Sequence, residues 1–196
     1  MNICLYGAAS SGVDKIYIDV VEDLCRELAA RGHALVFGAG AFGMMGAAAR
    51  GFHEGGGNIT GIVPEFFKHQ DIEPLYDKCS TLIYTVDMRE RKQKMEDMAD
   101  AFIIAPGGVG TFDEFFQALA LKQLARHNKQ IVLYNINGYY EPFREMFRQA
   151  DEQNFVREGF MDLFGIFSEN ENDKLISYLE TEPVERNPLT AYVKVK

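Results

Sequence analysis

The 196-residue chain carries 20 basic and 29 acidic side chains, so its formal net charge is −9 at pH 7, and 47% of its residues are hydrophobic. This length and composition predict one soluble globular domain whose core needs no disulfide or metal to hold it. The negative charge argues against a nucleic acid polymer as a partner, because such a partner requires a basic surface. It does not argue against one small anion bound in a local site.

The sequence also lacks signals for membrane insertion, secretion and metal binding. No apolar run reaches the ~18 residues that a membrane-spanning helix needs. The first ten residues lack the charged and apolar regions of a signal peptide, so we expect a cytoplasmic protein with no membrane partner. Cys4, Cys25 and Cys79 form no C-x-x-C pair, and the four histidines show no ligand spacing. We therefore expect reduced thiols and no metal site.

The first part of the chain alternates short strand-like runs with segments of helical period. Residues 2–6 predict a first strand, and a glycine-containing turn leads from it into a helix whose apolar residues between 16 and 28 recur every three or four positions. Residues 34–37 predict the second strand, which is followed by a glycine-rich turn and a short helix. Residues 59–63 predict the third strand.

The rest of the chain continues the same alternation. Residues 65–79 lack a clear period, so we expect a loop that lies over another part of the molecule. The later predicted strands are 81–86, 101–105, 131–134 and 163–167. The later predicted helices begin at Met88, span 111–127 and 140–152, and pass through Leu175 and Leu179.

This alternation predicts the α/β fold class, with a Rossmann-like, doubly wound parallel sheet covered by helices on both faces. We find no linker or repeat, so residues 1–181 are expected to form a single domain and residues 182–196 a C-terminal tail. Sheets of this class bind ligands in the crevice at the carboxyl ends of their strands. The glycine-rich turns after the first, second and fifth predicted strands are expected at that edge.

The turn after the second predicted strand, Gly38-x-Gly40-x-x-Gly43, matches the dinucleotide-binding pattern. That pattern normally follows the first strand of its unit and is accompanied by an acidic residue at the end of the next strand. Here the next predicted strand ends in Val63-Pro64. Two interpretations stay open: the turn binds NAD, or its glycines shape the wall of a pocket.

The turn after the fifth predicted strand, Pro106-Gly-Gly-Val-Gly-Thr111, predicts a phosphate cradle. Its glycines allow the backbone N–H groups to face a ligand. The following helix contributes a partial positive charge at its N-terminus, and Thr111 contributes a hydroxyl. The turn lacks the lysine of a P-loop, which disfavours NTP hydrolysis of that type.

Glu114 lies one turn further along and has two interpretations. Thr111-x-x-Glu114 matches a capping box, in which the threonine is the N-cap and the glutamate reaches back to a free N–H. Alternatively, Glu114 is a carboxylate close enough to a bound phosphate to act on the sugar attached to it. Asp113 points roughly 100° away on a 3.6-residue helix, so we expect it to face solvent.

The helix that begins at Met88 carries two cations, Arg91 and Lys92, three and four residues later. This spacing places them on the same side as Met88, which we expect to face inward together with Met95. Buried cations need anions close by. The two cations therefore extend their charged ends to solvent, form a structural salt bridge, or meet a substrate phosphate or Glu114.

These motifs together resemble the LOG (Lonely Guy) family, the cytokinin riboside 5′-monophosphate phosphoribohydrolases, some members of which are labelled lysine decarboxylases. The segment from Pro106 to Glu114 is similar to the family motif P-G-G-x-G-T-x-x-E, and Met88-x-x-Arg91-Lys92 is similar to its M-x-x-R-K motif. The similarity spans residues 4–160. The turns after the first two predicted strands depart from the family pattern, which leaves the preferred base open.

The resemblance implies a homodimer that needs no cofactor and hydrolyses the N-glycosidic bond of a nucleoside 5′-monophosphate, releasing a free base and ribose 5-phosphate. It implies that Arg91 and Glu114 are the catalytic pair. The residues expected to contact the nucleotide are Glu73, Arg91, Lys92, Gly107, Gly108, Val109, Gly110, Thr111 and Asp113. We do not follow the lysine decarboxylase label, because nothing in the sequence indicates a lysine that holds pyridoxal phosphate.

Two other functions stay open at this point. A non-catalytic carrier of a nucleotide or a molybdopterin-type cofactor needs the glycine turns but uses Glu114 only in a capping box. An NAD(P) oxidoreductase would use the turn that begins at Gly38.

Overall fold

The computed structural model describes residues 1–67 and 74–183, and within them seven strands form one parallel sheet. The spatial order is β4-β3-β2-β1-β5-β6-β7, and every neighbouring pair is parallel. The strands are β1 (Asn2–Tyr6), β2 (Ala34–Phe37), β3 (Ile59–Pro64), β4 (Thr81–Thr85), β5 (Ala101–Ile104), β6 (Gln130–Tyr134) and β7 (Gly165–Phe167).

Within the described ranges, six α-helices connect or follow the strands of this sheet. They are α1 (Lys15–Ala30), α2 (Gly43–Glu54), α3 (Met88–Met98), α4 (Val109–Gln123), α5 (Glu141–Glu152) and α6 (Asn172–Glu180). Short 3-10 turns lie at Ile136–Gly138, Phe160–Leu163 and Glu169–Glu171. None of the helices in the described ranges is long and apolar enough to cross a membrane.

The sheet is buried on both faces, as a doubly wound fold requires. In β1, Ile3 and Leu5 pack with α1, α2 and α6, whereas Cys4 and Tyr6 pack with α3, α4 and α5. Successive side chains of a strand point to opposite faces, so each strand contributes to two separate cores. The predicted α/β class with helices on both faces is confirmed.

The order in which strands are added to the sheet reverses between β1 and β5, which are parallel neighbours. Strands β1 to β4 extend in one direction from this point, and β5 to β7 extend in the other. The turns after β1 and β5 therefore lie side by side at the carboxyl edge, and the Ala8 N–H donates to the Pro106 carbonyl over 3.0 Å. This is the position at which such folds bind ligands.

Helix α4 differs from its predicted bounds at both ends. It begins at Val109 instead of Thr111 and ends at Gln123 instead of residue 127. The apolar period that predicted this helix starts only at Phe112, so the glycine-containing first turn was missed. The last strand is also shorter than predicted, because residues 160–163 form a 3-10 turn before β7.

The segment predicted as a loop, 65–79, reaches the turn that follows β2 through its described residues 74–76. Residues 68–73 lie outside the described ranges, and so do residues 184–196 of the predicted tail. After residues 68–73, Leu75 forms an isolated antiparallel bridge with Gly40, and the Tyr76 N–H donates to the Ala39 carbonyl over 2.8 Å. Residues 74–76 therefore pack along the glycine-rich turn after β2, in agreement with the overlying loop that the sequence predicts.

Candidate active site

Helix α3 delivers Arg91 to the carboxyl edge of the sheet. The Asp87 carboxylate caps this helix by accepting the N–H groups of Arg89 and Glu90 over 2.8 and 2.9 Å, which fixes where its first turn begins. Arg91 is buried, and its Nε donates to the Ile62 carbonyl of β3 over 3.1 Å.

The guanidinium of Arg91 passes directly over Gly38 at the end of β2. A Cβ atom at Gly38 would lie only 1.7 Å from Arg91 Nη2, so a side chain there would require Arg91 to shift. Gly38 is thus part of the site because it leaves room for Arg91.

Helix α4 delivers Glu114 to the same place. Arg91 Nη1 lies 3.6 Å from Glu114 Oε1, and the two side chains are 8% and 12% exposed. This separation is an ion pair rather than a hydrogen bond. Glu114 Oε1 and the Arg91 guanidinium are therefore held close to each other without being locked together.

The capping-box interpretation of Glu114 is wrong. Because α4 begins at Val109 with Gly108 as its N-cap, Thr111 is the third helical residue, and no side chain caps this end of the helix. Thr111 instead lies buried against Gly107, where a Cβ atom would be 2.1 Å from Thr111 Oγ1. The Glu114 carboxylate is therefore not needed to cap the N-terminus of the helix.

Burial changes the acidity of Glu114. Removal of its carboxylate from water raises the pKa of Glu114 from 4.5 to about 7, and the nearby Arg91 guanidinium only partly opposes this effect. Near neutral pH the group is therefore present in both protonation states, so it can accept a proton or return one.

A cavity of about 230 Å³ opens beside this pair. It lies between the turns after β1 and β5, with α2 and α3 on its other side. Its walls are Gly7, Ala8, Ala9, Met45, Phe67, Arg91, Gly108, Gly110, Thr111 and Glu114.

The first turn of α4 supplies backbone donors to this cavity. The N–H groups at the start of an α-helix have no partner within the helix, and they carry a partial positive charge. A Cβ atom added at Gly108 or Gly110 would meet no heavy atom within 4 Å, so both glycines face open space. A small anion can therefore approach the backbone closely at this point.

The predicted site residues do not all reach this cavity. Lys92 Nζ lies 2.8 Å from Asp113 Oδ2, and the Asp113 side chain is 59% exposed, so this pair faces away from the cavity. Val109 is 84% exposed and does not line it. Gly107 instead lines an adjoining cavity of about 360 Å³. Glu73 lies outside the described residues.

Sequence reasoning assigned no role to two apolar residues of the wall, Met45 and Phe67. Met45 belongs to the glycine-rich segment that was considered as a pocket wall, but Phe67 lies in the segment without a period and gave no signal. Across residues 1–67 and 74–183, no group of three or more His, Cys, Asp or Glu side chains is arranged to hold a metal ion.

The sheet topology and this cavity define a Rossmann-like α/β protein with a crevice at its switch point. A family model described as "Possible lysine decarboxylase" matches residues 45–179. The probable cytokinin riboside 5′-monophosphate phosphoribohydrolase LOGL2 of Oryza sativa subsp. japonica is 36% identical over 156 residues, which are 80% of this chain and 63% of that protein. The cytokinin riboside 5′-monophosphate phosphoribohydrolase LOG5 of Arabidopsis thaliana is 34% identical over 163 residues, which are 83% of this chain and 71% of that protein. The chain belongs to the LOG family.

Solved structures with the same fold include two molybdenum cofactor proteins. The molybdenum cofactor carrier protein of Chlamydomonas reinhardtii has a TM-score of 0.66 and 19% identity, with 91% of this chain and 96% of that chain covered. The molybdenum cofactor binding protein of Rippkaea orientalis has a TM-score of 0.66 and 22% identity, with 92% and 96% covered. These similarities establish the fold.

Proposed function

We propose that this protein hydrolyses the N-glycosidic bond of a nucleoside 5′-monophosphate, such as a cytokinin riboside 5′-monophosphate or AMP, to a free base and ribose 5-phosphate. The observation that carries the proposal is the buried Arg91–Glu114 pair, 3.6 Å apart, beside the open N-terminus of α4. The names of the relatives from rice and Arabidopsis support the same reaction.

Glu114 has the properties that this hydrolysis requires. Breaking the bond between the base and C1′ of the ribose leaves positive charge on the sugar, which a nearby carboxylate stabilises. The ionised Glu114 also accepts a proton from the attacking water, whose oxygen bonds to C1′ while the base departs and takes up a proton. A pKa of about 7 for Glu114 suits this proton transfer at neutral pH.

Arg91 and the first turn of α4 would fix the non-reacting part of the substrate. In this arrangement the N–H groups near Gly108 and Gly110 bind the 5′-phosphate, and the Arg91 guanidinium binds the phosphate or the ribose hydroxyls. The phosphate takes no part in bond breaking, but its binding energy holds C1′ against Glu114.

The decarboxylase label of the family model does not fit the residues of this cavity. Pyridoxal phosphate is held by a lysine amine. Among the described residues that line the cavity there is no lysine, and Lys92 is turned toward Asp113. We therefore derive no step that involves this cofactor.

A test of the proposal is to incubate the protein with AMP and with N6-isopentenyl-AMP and to measure free base and ribose 5-phosphate by chromatography. We expect base release that falls about 100-fold or more in Glu114→Gln and in Arg91→Ala. The matched controls are Glu145→Gln and Arg148→Ala, which alter an ion pair on the solvent-exposed side of α5. They should leave turnover unchanged.

A non-catalytic carrier would give a different result in the same experiment. It would bind AMP without releasing base, and Glu114→Gln would leave its binding unaltered. Base release from none of a panel of purine and pyrimidine monophosphates would reject the hydrolase proposal. The absence of a capping box favours the hydrolase, because it leaves the Glu114 carboxyl without a role at the helix end.

We also propose that the protein forms a homodimer. Apolar side chains at the edge strand and the start of α3 are exposed, among them Leu82, Tyr84, Val86 and Met88. Light scattering coupled to size-exclusion chromatography should give twice the 22.1 kDa mass of the chain. A mass equal to that of one chain would contradict this proposal.

A further inference from the structure

Two consecutive tyrosines, Tyr139 and Tyr140, lie between β6 and α5. The turn that precedes them is tight, with positive φ angles of 51° at Asn137 and 71° at Gly138. The Tyr140 N–H donates to the buried Asn135 side chain over 2.7 Å. The position of both tyrosines is thus fixed by the end of β6.

Both tyrosine hydroxyls reach across to the turn that follows β5. Tyr139 Oη donates to the Gly107 carbonyl over 2.7 Å, and Tyr140 Oη donates to the Ala105 carbonyl over 2.9 Å. The carbonyl between them, that of Pro106, accepts the N–H of Ala8 over 3.0 Å. Three successive carbonyls of this turn are therefore held by hydrogen bonds.

Fixing a carbonyl also fixes the N–H of the same peptide unit. A trans peptide is planar, and its C=O and N–H point in opposite directions. When Tyr139 holds the Gly107 carbonyl, the Gly108 N–H points away from Tyr139. Gly108 lines both the cavity that Tyr139 lines and the cavity that contains Arg91 and Glu114. Since its N–H points away from Tyr139, we expect it to face the second of these cavities.

The Gly107 side of this peptide unit is packed against Thr111 and Ala8, whereas its Gly108 side is open. Glycine adopts many backbone conformations, and Gly108 would meet no atom within 4 Å even with a Cβ added. Tyr139 is itself packed edge-on against Tyr17, with 6.4 Å between ring centroids, and against Tyr140, with 5.1 Å. Its hydroxyl thus holds the Gly107 carbonyl, while the Phe112 N–H holds the Gly108 carbonyl of the next peptide.

We propose that Tyr139 is a positioning residue for the phosphate site, because its hydroxyl holds the 107–108 peptide with the Gly108 N–H directed at the ligand phosphate. This inference rests on the proposed nucleotide site and adds a residue to it. Tyr140 makes a similar hydrogen bond but has a different role. The peptide that it holds ends at Pro106, which has no N–H to present.

The difference between the two tyrosines provides a matched test. Tyr139→Phe and Tyr140→Phe each remove one hydroxyl and one hydrogen bond to the same turn. We would measure binding of AMP and of adenosine by calorimetry, with Glu114→Gln as the common background so that no ligand is consumed. Thermal unfolding followed by circular dichroism would report the stability of each variant.

We expect Tyr139→Phe to weaken AMP binding about three- to tenfold, the usual effect of losing one hydrogen bond, and to leave adenosine binding unchanged. Tyr140→Phe should lower the melting temperature because the Tyr140 hydroxyl is buried. Its AMP affinity should stay within about twofold of the background, which is the smallest change expected from the loss of one hydrogen bond.

Three results would overturn the inference. The first is an AMP affinity of Tyr139→Phe within about twofold of the background, the smallest change that one hydrogen bond explains. The second is an equal loss of affinity for AMP and for adenosine in that variant. The third is the same loss of AMP affinity in both tyrosine variants. Wild-type turnover is measured separately. If the wild type releases no base but Tyr139→Phe selectively loses AMP affinity, the hydrolase proposal is rejected and the positioning role is supported. If the wild type releases base but Tyr139→Phe keeps its AMP affinity, the hydrolase proposal is supported and the positioning role is rejected.

Discussion

Two glycine-rich turns of this protein, one after β2 and one after β5, look similar in sequence but serve different purposes. In and directly after the turn that follows β2, three glycines are pressed against protein atoms. A Cβ atom would lie 1.7 Å from Arg91 Nη2 at Gly38, 2.3 Å from the Ala8 carbonyl oxygen at Gly43, and 2.0 Å from the Ala41 carbonyl oxygen at Gly46. Close packing accounts for Gly38 and Gly43 of the dinucleotide-like pattern.

The turn after β5 is divided between packing and open space. Gly107 is pressed against Thr111 and the Ala8 N–H, but Gly108 and Gly110 meet nothing within 4 Å. A glycine that faces protein atoms allows an internal approach, whereas a glycine that faces a cavity allows a ligand to approach. The spacing of glycines along the chain does not distinguish these two cases.

The largest effect is expected where the turn after β2 supports the site. Gly38→Ala places a methyl group on the Arg91 guanidinium and should displace it from Glu114. Since a shift of about 1 Å in a catalytic group costs about 100-fold, we expect at least that loss in kcat/KM for AMP. Steady-state kinetics would measure it. Near-normal kcat/KM would show that the turn after β2 does not position Arg91.

The Glu114 carboxyl beside both turns should make stability depend on pH. Its pKa is raised from 4.5 to about 7 in the folded state, so below pH 4.5 it is protonated in both the folded and the unfolded state. As pH rises from 4.5 to 7 the unfolded state ionises first, and folding loses stability. Above pH 7 the loss is complete, at about 3 kcal/mol.

Urea unfolding of the wild type and of Glu114→Gln at pH 5 and pH 8 would measure this effect. The stability advantage of Glu114→Gln should be small at pH 5 and should grow toward about 3 kcal/mol at pH 8. A difference that stays constant between these two pH values would show that Glu114 titrates normally.

Gly107→Ala should lower the stability of the fold. The added methyl group would meet Thr111 Oγ1 at 2.1 Å and the Ala8 nitrogen at 2.9 Å, so the two turns must separate. Overpacking of this kind costs about 1–3 kcal/mol. Chemical denaturation would measure the loss, and an unchanged free energy of unfolding would mean that the two turns tolerate separation.

Gly110→Ala should have the smallest effect on stability, and of opposite sign. Gly110 lies in the first turn of α4 with open space around it, and alanine favours a helix over glycine by about 0.5–1 kcal/mol. The methyl group projects toward the proposed phosphate site, so AMP binding should weaken while stability rises. Equal or better AMP affinity would place the phosphate elsewhere.

Much of the fold was predictable because hydrophobic periodicity reports burial directly. The strand β1 matches its predicted bounds, and the two-sided burial of the sheet follows from its short apolar runs. The start of α4 was not predictable in this way. Gly108 ends the turn and Val109 is exposed, so the first helical residues carry no apolar period.

The two cations of α3 show the same limit at the site. Sequence spacing placed Arg91 and Lys92 on the inward side, together with Met88. In the structure Arg91 is buried, but Met88 is partly exposed and Lys92 is paired with Asp113 at the surface. Adjacent residues differ by about 100° around a helix, so a boundary between faces can fall between them.

The sequence by itself determined the α/β class, the order of the elements and the family, because each depends on local periodicity or on short contiguous motifs. The tertiary structure decided which glycines face a ligand and which face protein atoms. It also decided that Glu114 is an acid of raised pKa beside Arg91 rather than a helix cap, and that Tyr139 holds the turn after β5. These outcomes depend on contacts between residues far apart in the chain, which no local pattern records.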